Sequence, residues 1–182
     1  EKVFGYTPSE WLADPDLWWH LKAGEELWRS GRIPRTDPYS YLSAGHPWIN
    51  HEWLAELATY AVFATAADRG LILFKMGVAL AIVFGCWRFL RRRGSSVLGA
   101  AFITADAAIV MLPGLGAVRP QLFSYGAFLI LLVLLDRVEQ GAPRALWLAP
   151  PLFAVWANLH GGFMAGLAAL AIWTVVRAAR PP

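Results

Sequence analysis

Acid–base chemistry in this sequence is concentrated in a few short stretches. The first, ADPDLWWHLKAG (residues 13–24), sets Asp14 and Asp16 around a proline with His20 close behind. Asp16 and His20 are four residues apart and share a face if the stretch is helical. An Asp–His pair can bind a metal, or can hold an imidazole in the tautomer a general base needs. The same residues also make a good helix start, with Asp at the N-cap, Pro at the first position and a second acid in the first turn. The two roles are compatible, because a carboxylate fixed by backbone N–H groups can still face a ligand.

The second stretch, NHEWLAELA, opens with His51-Glu52, and Glu56 follows one turn on. It is not the zinc-protease pattern HExxH, because Ala55 stands where the second histidine belongs. His46 lies nearby, yet the spacing of these acids and histidines matches no fixed metal site. Further along, Arg119-Pro120-Gln121 offers a guanidinium suited to an anionic phosphate, or to snorkelling at a membrane interface. The run Asn158-Leu159-His160-Gly161-Gly162 is a tight turn whose Asn and His can make polar contacts with a ligand. Asp106 stands inside an apolar run, a costly position in lipid that calls for a partner, with Lys75 and Arg119 as candidates.

The elements that must position these residues follow from composition. The chain is 57% hydrophobic and 16% charged and holds ten tryptophans, a balance that soluble domains of 182 residues seldom show. Its long apolar runs, flanked by arginine, predict an all-α polytopic membrane protein. The one cysteine, Cys86, rules out an internal disulfide framework. Residues 1–70 carry six basic and ten acidic side chains, and residues 71–182 carry ten basic and three acidic. The basic charge therefore sits at the ends of apolar runs, which excludes nucleic acid as the expected partner and makes the lipid bilayer the expected one. No signal peptide is visible, and the chain reads as part of a longer protein.

A helix is expected over about 16–30, with Leu17, Leu21, Gly24 and Trp28 as its apolar stripe and Gly31 as its stop. The following RIPRTDPYSYLSAGHPWIN suggests an irregular loop with a short hairpin. A second helix over about 51–67, capped by Asn50 and with Glu52 and Glu56 in its first turns, suits the membrane surface. Transmembrane helices are expected at about 71–90, 97–118, 121–136, 145–160 and 162–177, with a kink at Pro150-Pro151. Arg91-Arg92-Arg93, Arg137 with Arg144, and Arg177 with Arg180 then fall on one, cytoplasmic side. That topology makes residues 1–70 an extracytoplasmic acidic loop with interfacial helices, on the same face as Arg119 and His160.

The ordered motifs DPDLWWHLKAG, GRIPRTDPYSY, GHPWINHEWLAE, RPQLFSY and WANLHGGF resemble a family of prokaryotic polytopic membrane proteins grouped with GT-C glycosyltransferases, and the resemblance covers most of the chain. It implies a GT-C-like helical bundle in the plasma (inner) membrane. It also implies transfer of a sugar from a polyprenyl-phosphate carrier to an acceptor on the outer face. Asp14 or Asp16 would match the acidic motif, deprotonating the acceptor or helping to hold a divalent metal such as Mg or Mn. Glu52, with His51, would match the second acidic position, and Arg119 would meet the leaving phosphate. His20, Gln121, Asn158 and His160 complete the expected substrate contacts. The WWH cluster after DPD departs from the usual pattern. Trp18, Trp19, Trp48 and Trp53 would stack on sugar, or form an aromatic belt and the core of the outer region. Two other classes fit the residues alone: a non-catalytic transporter or assembly subunit using Asp106 and the Pro150-Pro151 break, and a metal-dependent membrane hydrolase using the Asp/His/Glu cluster.

Overall fold

Pro15 and Asp16 open the first helix where the punctuation of the sequence put it. The computed structural model describes residues 15–180, so Asp14 lies outside the described residues. Helices α1 (Pro15–Ser30), α2 (Trp53–Arg92), α3 (Val97–Leu115), α4 (Gln121–Glu139), α5 (Ala149–Trp156) and α6 (Phe163–Ala178) follow in order, with a 3₁₀ turn over Pro143–Leu148 ahead of α5. Three of them, α2, α3 and α4, are long and apolar enough to cross a membrane. α3 is apolar all round and little buried within the protein, as expected of a helix whose outer surface meets lipid.

Gly31 ends α1 in a left-handed conformation (φ 65°), its N–H returning to the Leu27 carbonyl at 2.8 Å. Leu17, Leu21, Gly24 and Leu27 face inward. Trp28, expected on that stripe, instead stays 59% exposed and turns its ring toward Tyr60. The inward face packs on the first half of α2 so closely that a Cβ on Gly24 would collide with the Glu56 carbonyl and sit 2.7 Å from the Tyr60 Cβ.

The loop from 31 to 52 holds one bridge, Thr36 with Pro47, where a short hairpin was expected. Prolines at 34, 38 and 47 remove the N–H groups a longer ladder needs. Asp37 shapes the turn instead, its Oδ1 accepting from the N–H groups of Tyr39 (2.8 Å) and Ser40 (3.0 Å). The loop is tied to α1 by the Tyr39 hydroxyl, which donates to Glu26 at 2.8 Å. Burial holds that phenol well above its ordinary pKa, so it remains a donor.

α2 is broken at Ala67 (φ 50°, ψ −148°), which separates a first half over 53–66 from an apolar half over 68–92. Separate helices were expected over 51–67 and 71–90; the structure has one helix with a break at Ala67. Ser96 caps α3 by accepting from Gly99 N–H at 3.0 Å, and Pro120 precedes α4. The fourth expected span, 145–160, is divided: Pro143, Pro150 and Pro151 favour helix starts, and the result is a 3₁₀ turn leading into an eight-residue α5. The fifth is the 16-residue apolar α6. Asp106 lies exposed on the outward side of α3, and neither expected partner reaches it. Lys75 donates to the Gly116 carbonyl at 2.9 Å, and Arg119 pairs with Asp16.

At one end of the bundle, Arg93 meets Asp136 at 2.8 Å, and Arg177 and Arg180 both meet Glu139 at 2.8 Å. The ends of α2, α4 and α6 thus meet. The start of α4 lies about 28 Å away along its axis, at the other end.

The Gly24 contact gives a direct test. Gly24→Ala should lower stability by about 1–3 kcal/mol through overpacking of α1 on α2. Gly77→Ala, where a Cβ meets open space within a helix, should be neutral or stabilising by up to about 1 kcal/mol. Thermal unfolding of both variants in detergent measures the contrast.

Candidate functional site

Glu56 and Glu52 stand one turn apart at the start of α2, and their surroundings divide their roles. Glu56 is fully buried in its side chain. His20 Nδ1 donates to its Oε1 at 3.2 Å, and Asn50 Nδ2 donates to its Oε2 at 2.5 Å. Asn50 Oδ1 also accepts from the Glu52 N–H at 3.1 Å, a turn just ahead of the helix, whose N-cap is Glu52 rather than the expected Asn50. Both Glu56 oxygens are thereby occupied, which makes it a structural carboxylate.

Glu52 is different. Its carboxylate makes no hydrogen bond among the described residues, yet three imidazoles surround it. His160 Nε2 and His51 Nε2 each lie 3.7 Å from Oε1, and His20 Nε2 lies 3.9 Å from Oε2. These separations exceed a direct hydrogen bond and leave room for a bridging water or a substrate hydroxyl. Burial raises the Glu52 pKa, partly offset by the positive influence of His20 and His51.

His160 is held from behind. Gly162 N–H donates to its Nδ1 at 3.0 Å, so that nitrogen is an acceptor and the ring proton belongs on Nε2, facing Glu52. Trp156 Nε1–H donates to Ser124 Oγ at 2.7 Å, and Ser124 Oγ lies 2.8 Å from the same Nδ1, completing the relay Trp156–Ser124–His160. Burial, then the nearby His51 and His20, lower the His160 pKa, so the ring is neutral at pH 7. Sequence reasoning found His160 but missed Ser124 and Trp156, since a lone hydroxyl and an indole in apolar helices give no periodic signal.

The remaining candidates are placed by their own contacts. Asp16, one helical turn before His20, pairs with Arg119 at 3.3 Å and ties the start of α1 to the turn between α3 and α4. Gln121 is the first residue of α4. The Asn158 amide is spent on the scaffold: Oδ1 accepts from Trp53 Nε1 at 2.6 Å and Nδ2 donates to the Ala154 carbonyl at 2.7 Å. The Trp19 ring lies against His20, with centroids 3.7 Å apart, and Trp48 stands beyond it at 6.5 Å. A cavity of about 550 Å³ opens beside His51, walled by Trp48 and Trp53 and reached by Arg35.

Among the described residues, no group of three or more His, Cys, Asp or Glu side chains is arranged to hold a metal ion. Mg and Mn prefer clustered oxygen donors, and the Asp16 carboxylate already has the Arg119 guanidinium beside it. Asp14, the other carboxylate expected to hold a divalent ion, lies outside the described residues. No protein-family pattern, characterised protein or solved structure matches the chain.

The His160 geometry predicts a spectroscopic result. In ¹⁵N-histidine-labelled protein, His160 should show the Nε2–H tautomer at pH 7. Its titration midpoint should lie below the ordinary 6.5, because burial and then the nearby His51 and His20 disfavour the charged ring. Linkage then lowers stability as pH falls from about 6.5 toward the lowered value. Ser124→Ala should raise the midpoint, since it removes one of the groups facing Nδ1.

Proposed function

We propose that this chain carries the outer-face site of a GT-C-like membrane glycosyltransferase, which moves a sugar from a polyprenyl-phosphate carrier to an acceptor hydroxyl. The observation that carries the reading is Glu52: a half-buried carboxylate with a raised pKa, open to a ligand and bordered by three imidazoles. The motif resemblance supplies the reaction class. The positive-inside rule supports the sidedness, because the arginine-bearing ends of α2, α4 and α6 lie at the end of the bundle away from Glu52. In this reading the protein resides in the plasma membrane with residues 1–70 outside.

Glu52 acts as the general base. The acceptor oxygen attacks the anomeric carbon, its proton passes to Glu52, and the bond from that carbon to the phosphate oxygen breaks. The phosphate leaves with the electron pair. Arg119 meets the charge that develops on it, and Asp16 orients Arg119. His160 offers its Nε2–H toward the Glu52 carboxylate and, being neutral, adds no charge that would weaken the base. The resemblance put the base at Asp14 or Asp16; we prefer Glu52, because Asp16 is paired with Arg119 while Glu52 makes no side-chain hydrogen bond among the described residues. The transporter alternative gains no support from Asp106, which faces outward from α3 rather than between helices.

Proteoliposomes given a panel of polyprenyl-phosphate-linked hexoses and pentoses test this. Glu52→Gln should reduce transfer by about 10²–10⁴-fold. Asp16→Asn should chiefly raise the KM for the donor. The base works deprotonated, so activity should fall as pH drops through a value above the ordinary 4.5 of a glutamate. Undiminished transfer by Glu52→Gln, or no transfer by the unmodified protein with any donor in the panel, would overturn the proposal.

A further inference from the structure

The end of the bundle remote from Glu52 holds a cavity of about 650 Å³ between the last turns of α2 and α4. Its rim and its depth differ in character. Arg88 and Arg92 reach the rim from α2 and Arg137 from α4. Phe84 and Val133 lie one turn deeper along the same two helices, about 6 Å further in, and Leu129 and Ile130 lie deeper still. The cavity is thus cationic at the helix ends and apolar toward the middle of the bundle.

The charges at its rim are uncompensated. Arg93, Arg177 and Arg180, at the same end, each have a carboxylate partner. Arg88, Arg92 and Arg137 make no ion pair or side-chain hydrogen bond among the described residues. The one acid lining the cavity, Asp136, is already engaged: Oδ1 accepts from Arg93 at 2.8 Å and Oδ2 from Gln140 at 2.7 Å. Three guanidinium groups lining one cavity, whose one carboxylate is already paired with Arg93, repel one another, and an anion placed among them relieves that repulsion while accepting forked hydrogen bonds. A free anion would leave the apolar depth unfilled. A ligand with an anionic head and a hydrocarbon tail satisfies both parts, and the amphiphile available to a membrane helix end is a lipid.

We propose that this cavity binds an anionic phospholipid of the surrounding membrane. Arg88, Arg92 and Arg137 hold its phosphodiester, and an acyl chain lies along Phe84, Leu129 and Val133. The site rests on the membrane-spanning character of α2 and α4 and is independent of the sugar-transfer reading, so either can fail alone.

The test is native mass spectrometry of the intact protein in mild detergent, with equal amounts of phosphatidylglycerol and phosphatidylcholine of matched acyl chains. Retained phosphatidylglycerol should exceed phosphatidylcholine by roughly tenfold or more, given the usual contribution of each basic side chain at a lipid surface. The combined variant Arg88→Gln, Arg92→Gln, Arg137→Gln should bring the ratio close to one. Arg144→Gln, an exposed arginine outside the cavity, should leave it unchanged. Val133→Trp keeps all three charges but fills the apolar depth, and should cut retention of phosphatidylglycerol at least several-fold even if the triple variant fails to fold. Equal retention of the two lipids by the unmodified protein would overturn the site. So would unchanged phosphatidylglycerol retention in a folded triple variant or in Val133→Trp, the last showing surface charge without a pocket.

Discussion

A carboxyl group with no exposed side-chain atom must be hydrogen-bonded where it sits, and Glu56 is the group this fold has to satisfy. Its two partners come from different elements, His20 from α1 and Asn50 from the loop that leads into α2. Leaving a buried polar group without its hydrogen-bond partner typically costs about 1–3 kcal/mol, so the three elements are held in one arrangement. Gly24 lets α1 approach the Glu56 backbone closely enough for His20 to reach. The register of α1 on α2, the position of the loop and the orientation of the His20 ring all follow from this one acid.

The same constraint explains why the neighbouring glutamate can stay open. With His20 Nδ1 fixed on Glu56, its Nε2 is left facing Glu52 at 3.9 Å, too far to consume it. His160 is likewise held from its far nitrogen by Gly162, with Ser124 alongside. Each ring is anchored on one side and presents the other, so the space around Glu52 is shaped by groups that cannot collapse onto it. Such fixed polar surroundings are what catalytic sites need, because no reorganisation is required when charge moves.

Much of this organisation was legible in the sequence. Proline and acid at the start of α1 and glycine at its end fixed its limits. His20, His51, Glu52 and His160 were recognisable because polar side chains are rare in so apolar a chain. Burial was not legible. Glu56 has the spacing of an ordinary helix-start acid, and only its depth against α1 makes it structural. Trp28 has the spacing of a core residue and lies outside, because the close α1–α2 approach at Gly24 leaves Leu27 to fill that level. The hairpin expected over the loop yielded to proline, whose missing N–H outweighed the surrounding strand signals, whereas the interruption of the fourth span was itself signalled by Pro150-Pro151.

The bond from Trp53 to Asn158 joins residues 105 positions apart, and the His160 turn that closes the Glu52 site hangs from it. At ordinary synthesis rates roughly 5–20 s separate the emergence of those two residues from the ribosome. For that interval the growing chain holds its half-buried acid with one flank missing. The site is therefore a late event in biogenesis, timed by arrival of the Trp156–Gly162 turn, and a chain halted before that turn would carry the acidic helices without the partner that completes them.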